Sequence, residues 1–193
     1  MAFLLPQPKI ADDVAGFNVG TMKTIGVSAR PLPGKIDVPG LIHEFCQLVF
    51  KSGMMPVLIE MDRQADNEII SAIEKLGGKT PDLRKLGSPV VVQQRIARMD
   101  AVVAMRLHAG ILATTVGVPA MMLNYDPKVS AFARSLDIGS ALPLEGLSPQ
   151  RLFDSFQSFM KDRERHQKVV ERKRTEFAEG AKANIDIIRQ IIR

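Results

Sequence analysis

Ala101-Val-Val-Ala-Met-Arg-Leu-His-Ala-Gly110 runs four small apolar residues directly into Arg106, Leu107 and His108. A second apolar run, Ala109 to Val116, follows with no charged residue. The first run predicts a buried strand over Ala101 to Ala104, and His108 to Val116 predicts a helix that Gly117 stops. An arginine and a histidine wedged between such segments are either paired in a core or part of a site. The surrounding chain favours a site.

Downstream, Pro119 to Leu123 reads as another strand, and Asp126-Pro127 sets a cap before a proline, opening a helix to about Leu136. Ser148-Pro149 repeats that signature, with Leu147 and Leu152 spaced as a hydrophobic staple. A final helix is expected from about Gln167 to Arg193, with Phe177, Ala181, Ile185, Ile188 and Ile192 on one face. Upstream, Ser88-Pro89 opens a helix to about Met99, and Pro56 to Glu60 is a buried strand ending at Met61-Asp62-Arg63-Gln64. Asp66 to Leu76 predicts a helix closed by Gly77-Gly78, while 79–87 leaves room for a short strand near Thr80. Thr24 to Ser28 is the first strand. Val38 to Ser52, apolar at Leu41, Ile42, Phe45, Cys46, Leu48 and Val49, is an amphipathic helix ending at Gly53. Phe3-Leu-Leu-Pro-Gln-Pro8 reads as an extended connector.

Apolar strands alternating with helices across short connections describe an α/β fold. Its sheet is Rossmann-like and parallel, with helices on both faces. The expected division is a connector over 1–24, one domain over 25–160, and a basic C-terminal helix over 161–193 packing on that domain.

Composition narrows the class. With 46% hydrophobic and 24% charged residues, the 193-residue chain can bury a core and does not read as disordered. Its single cysteine, Cys46, cannot form an internal disulfide, which suits a reducing compartment. No run approaches the roughly 18 apolar residues of a membrane span, and the N-terminus lacks a signal-peptide pattern. The chain therefore reads as cytoplasmic. The net charge of +5 is concentrated: 161–174 carries seven basic residues against three acidic ones. One reading is a solvated helix face; the sharper is a peripheral contact with an anionic inner membrane surface or a lipid-linked acceptor. Nucleic acid fits poorly, because no aromatic residues interleave with these charges.

In open parallel α/β sheets, ligands bind outside the carboxyl ends of the strands. There the chain places Ser28 and Arg30, Asp62 and Arg63, Arg106 and His108, and finally Asn124, Tyr125, Asp126 and Lys128. A helix start after the central strand offers unpaired N–H groups to an anion. Arg30 and Arg106 add planar donor forks suited to carboxylate or phosphate. Alternatively, Arg106 is a structural partner of an acid such as Asp100 or Asp126, and His108 is a capped histidine. Leu107 would turn inward and fix the corner. There is no G-x-G-x-x-G and no P-loop motif, and no metal-ligand spacing among Cys46, His43, His108 and His166. His43 and His166 read as structural or solvated.

Three stretches together resemble the polysaccharide pyruvyl transferase family, most closely its CsaB-like bacterial cell-wall branch. They are Ala101-Val-Val-Ala-Met-Arg-Leu-His-Ala, Gly117-Val-Pro-Ala and Tyr125-Asp-Pro-Lys-Val129, with Ser28-Ala-Arg30 similar to a Ser-x-Arg element. The resemblance runs from about Phe3 to about Phe156. It implies the C-terminal half of a GT-B-like fold, a domain that binds phosphoenolpyruvate as donor substrate, with no separate cofactor and no metal. It implies transfer of pyruvate as a ketal to a sugar of a lipid-linked or polymeric cell-wall polysaccharide, the polymer on which S-layer-homology domains dock. His108 becomes the expected general acid, since imidazole titrates near neutrality. Arg30 and Arg106 become the anion clamps, with Ser28, Tyr125 and Lys128 as further phosphoenolpyruvate contacts. It also implies a missing N-terminal half, with Phe3 to Pro8 as the link to it. Two rival readings stand beside this one: the donor domain of a GT-B glycosyltransferase or sugar-nucleotide enzyme, and a non-catalytic ligand-binding domain.

Overall fold

The sheet turns about its first strand, β1 (Thr24–Ser28), whose five residues are all buried. The computed structural model describes residues 2–4, 22–34, 36–77, 88–139 and 141–192. From β1 the chain runs through α1 (Val38–Lys51) to β2 (Met55–Leu58), then α2 (Arg63–Lys75) and α3 (Pro89–Ile96). It continues through β3 (Ala101–Ala104), α4 (Leu107–Thr115), β4 (Ala120–Asn124), α5 (Pro127–Ser135) and β5 (Leu142–Pro143). Two helices close it, α6 (Pro149–Lys161) and α7 (Arg163–Ile191). The strands lie in the order β2-β1-β3-β4-β5 and every pairing is parallel. This is the α/β architecture the alternating pattern predicts.

Successive side chains of a strand leave on opposite faces, so each central strand feeds two cores. Ile25 and Val27 of β1, Ala101 and Val103 of β3, and Met121 and Leu123 of β4 join α1, α2, α6 and Val170 of α7. Val102, Ala104, Ala120 and Met122 pack with α3, α4 and α5 on the other side. Phe45 of α1 meets Phe156 of α6 edge to face at 5.5 Å, both fully buried. Gly26 is required for closeness: a Cβ there would come within 2.4 Å of Met99 Sδ and 2.6 Å of Ile59 Cδ1.

Several boundaries differ from the sequence reading. α2 begins at Arg63, because Asp62 accepts hydrogen bonds from the backbone N–H groups of Gln64 and Ala65 and caps the helix there. α3 stops at Ile96, short of Met99. α7 begins at Arg163, and the two-residue strand β5 had no sequence signal of its own. Ala2–Leu4 forms a 3-10 turn instead of an extended connector, and the Phe3 ring lies 5.0 Å from that of Phe177 on α7. The remaining connector expectation over 5–21, and those near Thr80 and at Gly78, fall outside the described residues.

In the basic segment, Arg163 pairs with Asp100, and Arg172 and Lys173 with Asp137. The Lys173 ammonium holds Asp137 below the usual carboxylate range, and Asp137 with Glu176 raises Lys173. No helix among the described residues is long and apolar enough to cross a membrane.

Candidate functional site

The chain enters the sheet at β1, moves outward to β2, and crosses back to β3 on the other side of β1. The strand order therefore reverses between β1 and β3. At such a reversal the flanking connections leave in opposite directions, opening a crevice at the strand ends where ligands bind. Ser28 is in register with Ala104, and Ala104 with Met122. Arg30, Arg106 and Asn124 each follow two residues later. Three strands about 4.8 Å apart thus deliver these residues at one level of the rim.

Neither arginine is left to find its own geometry. Arg106 donates through Nε to Asp66 Oδ1 at 3.0 Å and through Nη2 to the same oxygen. The other carboxylate oxygen accepts from the N–H groups of Met61 and Asp62 at 2.8 and 2.9 Å. Asp66 is 1% exposed and the Arg106 side chain 16%. The partner acid is thus neither Asp100, which holds Thr24 N and Arg163, nor Asp126, which caps α5 by accepting from Lys128 N. Arg30 donates through Nη1 to the Tyr125 hydroxyl at 3.1 Å, and its guanidinium carbon lies 4.9 Å from that ring's centre.

Five helices follow directly on the carboxyl end of a strand. α1, α2, α5 and α6 close their first turns with Asp37, Asp62, Asp126 and Ser148, each accepting a backbone N–H. α4 does not. Its N-cap is Arg106, which makes no side-chain cap bond. The first turn of α4 therefore keeps its donors and its partial positive charge turned outward. His108, the second residue of that helix, is exposed at the opening, while Leu107 packs partly buried on the second core. Arg30, Arg106 and the uncapped start of α4 thus share one rim of the sheet, and their donors suit a small multiply charged anion.

The other expected site residues separate from this centre. Ser28 is fully enclosed, and its Oγ has no partner among the described residues. Lys128 is exposed on the first turn of α5. Tyr125 spends its hydroxyl on Arg30. His166 is buried and stacks on Phe159 at 4.5 Å, and burial lowers its pKa. Cys46 is buried, and desolvation pushes its thiol up to about 12, so it is inert as a nucleophile. No group of three His, Cys, Asp or Glu that could hold a metal occurs among the described residues. Sequence reasoning missed Asp66, which it placed at a helix start. Asp62 as the cap, with a second acid four residues on, was the signal available.

The sequence model of the polysaccharide pyruvyl transferase family matches residues 1–127. No curated protein sequence matches. Among solved structures, the chain resembles the glycosyltransferase of kitacinnamycin with a TM-score of 0.58 at 14% identity, over 91% of this chain and 44% of that one. It resembles WaaG, a glycosyltransferase involved in lipopolysaccharide biosynthesis, at 0.52 and 14%, over 84% and 44%. The C-terminal CMP-Kdo binding domain of WaaA from Acinetobacter baumannii gives 0.52 at 8%, over 80% of this chain and 88% of that domain. At such identities the likeness is one of fold, that of GT-B glycosyltransferases. The chain spans less than half the length of the first two.

Proposed function

Because the chain belongs to the polysaccharide pyruvyl transferase family, we propose that it is the donor-binding half of an enzyme that moves pyruvate from phosphoenolpyruvate to a sugar of a cell-wall polysaccharide. The observation that carries this reading is the uncapped start of α4, with Arg106 at its cap position and Arg30 just past the end of the neighbouring strand. Phosphoenolpyruvate carries a carboxylate and a phosphate on adjacent positions of one small skeleton. The two guanidinium groups and the helix start match that pair of charges. Their charge also stabilises the departing phosphate.

In the reaction, C3 of phosphoenolpyruvate gains a proton and one sugar hydroxyl adds at C2. A second hydroxyl then displaces phosphate, leaving the ketal. The two hydroxyl protons balance the new methyl hydrogen and the proton taken by phosphate. His108, at the opening of the site, is the proton donor to C3 in this scheme. Tyr125 orients Arg30, and Asp66 orients Arg106. The acceptor in this scheme is lipid-linked or polymeric.

Calorimetry with phosphoenolpyruvate against a panel of UDP-sugars tests the donor. Phosphoenolpyruvate should bind, and Arg30→Ala or Arg106→Ala should weaken it at least tenfold. Binding of a UDP-sugar in its place would replace this reading with a glycosyltransferase one. In the full-length enzyme, His108→Ala should lower kcat at least 100-fold; unaltered turnover would remove His108 as the acid.

A further inference from the structure

β5 pairs only with Leu123 and Asn124, so among the described residues the outer edge of β4 from Ala120 to Met122 has no strand beside it. A cavity of about 360 Å³ lies along that edge, between the end of α5 and the corner where α6 passes into α7. It sits at the amino end of β4, whereas the arginine site sits beyond the carboxyl ends, and the donor reading leaves it unused. Met121, Leu136, Ile138, Leu142 and Phe159 make its interior apolar. One polar ring stands among them. His166 is 6% exposed, and its Nδ1 is enclosed with no hydrogen-bond partner among the described residues. Burial holds its pKa below the ordinary value, so the imidazole is neutral near neutral pH. A buried polar atom without a partner is costly, and a ligand that supplies one is favoured by that amount. The opening carries Asp162 and Arg165, both exposed, and neither makes an ion pair among the described residues.

From this arrangement we propose that the cavity is a second ligand site, separate from the donor site, and that it takes a free aromatic α-amino acid, tyrosine above the others. The charges at the opening select the class. Asp162 and Arg165 stand three residues apart on one side of the chain entering α7, a spacing that puts side chains about 5–6 Å apart at Cβ. An anion alone would meet Asp162, and a cation alone would meet Arg165. A zwitterion satisfies both, with its ammonium on the carboxylate and its carboxylate on the guanidinium. The interior selects the side chain. Met121 offers a thioether and Phe159 a ring to an aromatic group, and the leucine and isoleucine surfaces enclose it. A phenol at the end of that group donates to a bare Nδ1 of His166 or accepts from a protonated one, so it suits either tautomer. The volume lies at the small end of the range for ligand sites, which fits one ring on a short chain and excludes a nucleotide or an oligosaccharide.

The test is a set of titrations of this chain followed by amide proton–nitrogen NMR. The ligands are L-tyrosine, L-phenylalanine, tyramine, which lacks the carboxylate, and hydroxyphenylpropionate, which lacks the ammonium. Tyrosine should shift the amides of Ile138, Leu142, Phe159 and His166. Tyramine and hydroxyphenylpropionate should each bind at least tenfold more weakly, and phenylalanine at least threefold. Asp162→Asn and Arg165→Gln change exposed side chains, so both variants should keep the native urea midpoint while binding tyrosine at least fivefold more weakly. Phosphoenolpyruvate at saturation should leave the tyrosine affinity within twofold. No tyrosine shift, shifts mapping elsewhere, or displacement of tyrosine by phosphoenolpyruvate would overturn the proposal. So would either charge-deleted analogue binding as tightly as tyrosine, or both variants binding tyrosine as the native chain does.

Discussion

Asp66→Asn is the most informative single change, because it alters no atom that would touch a ligand. Asp66 accepts with both oxygens: one takes the N–H groups of Met61 and Asp62, the other the Arg106 guanidinium. An asparagine has one carbonyl oxygen. Whichever way its amide sits, the NH2 faces a pair of donors and leaves them unpaired. A lost buried partner costs about 1–3 kcal/mol, and breaking a buried ion pair about 3–5. The Arg106 side chain is 16% exposed, so water offsets part of the penalty and about 3 kcal/mol is the expected loss. With a urea dependence of about 1–3 kcal/mol per molar, the midpoint should fall by about 1 M or more. Arg106 should also regain side-chain freedom, of which an arginine carries about 2 kcal/mol. The neutral asparagine also leaves the Arg106 charge uncompensated, which offsets part of that loss. Phosphoenolpyruvate affinity should therefore drop by less than about 30-fold, the factor that corresponds to about 2 kcal/mol. Combining Asp66→Asn with Arg106→Gln should be non-additive in stability by about 2 kcal/mol, because both changes break one pair. Additivity within about 0.5 kcal/mol would refute the bracing argument.

Phe156→Ala should destabilise by about 3–5 kcal/mol in urea melts, since it empties the contact that locks α6 on α1. Tyr125→Phe keeps the ring under Arg30 and deletes the 3.1 Å hydrogen bond. It should raise the phosphoenolpyruvate Kd about three- to tenfold, with the urea midpoint unmoved; Tyr125→Ala should cost more. His166 has a pKa below the ordinary value of 6.5 because burial disfavours its charged form. The unfolded chain therefore takes up that proton first as the pH falls. This contribution to stability is complete above about pH 6.5 and declines as the pH drops through it. Urea midpoints at pH 7.5 and 5.5 should differ for the native chain, and His166→Phe should flatten the difference.

The fold was legible because its signals are local. Asp126-Pro127 and Ser148-Pro149 open their helices as a cap followed by proline predicts, and Gly53, Gly77 and Gly117 adopt the positive φ that ends them. Two-residue β5 carried no periodicity, and its pairing with Leu123 and Asn124 comes from the sheet edge. For the site, strand ends gave the rim positions of Arg30 and Arg106, since a parallel sheet gathers them at one edge. Their partners were another matter. Asp66 lies 40 residues from Arg106, and Tyr125 lies 95 from Arg30. No spacing rule reports contacts at that separation; they follow from the order β2-β1-β3-β4, in which sequence distance and spatial distance part.

The two braces differ in charge, and that difference divides the site. Asp66 supplies a full negative charge to Arg106, so the pair presents directed N–H groups with little net field. Tyr125 supplies a neutral hydroxyl and a ring face to Arg30, which keeps its positive charge. Of two anionic groups on one small donor, the more highly charged gains more beside Arg30. The less charged one gains most from the fixed fork of Arg106, where geometry counts for more than field. With phosphoenolpyruvate as the proposed donor, the phosphate would lie toward Arg30 and the carboxylate toward Arg106. The uncapped first turn of α4 adds a partial positive charge at the same rim. Both arginines are ordered when the chain folds, so the entropy of fixing them is lost then and does not weaken binding.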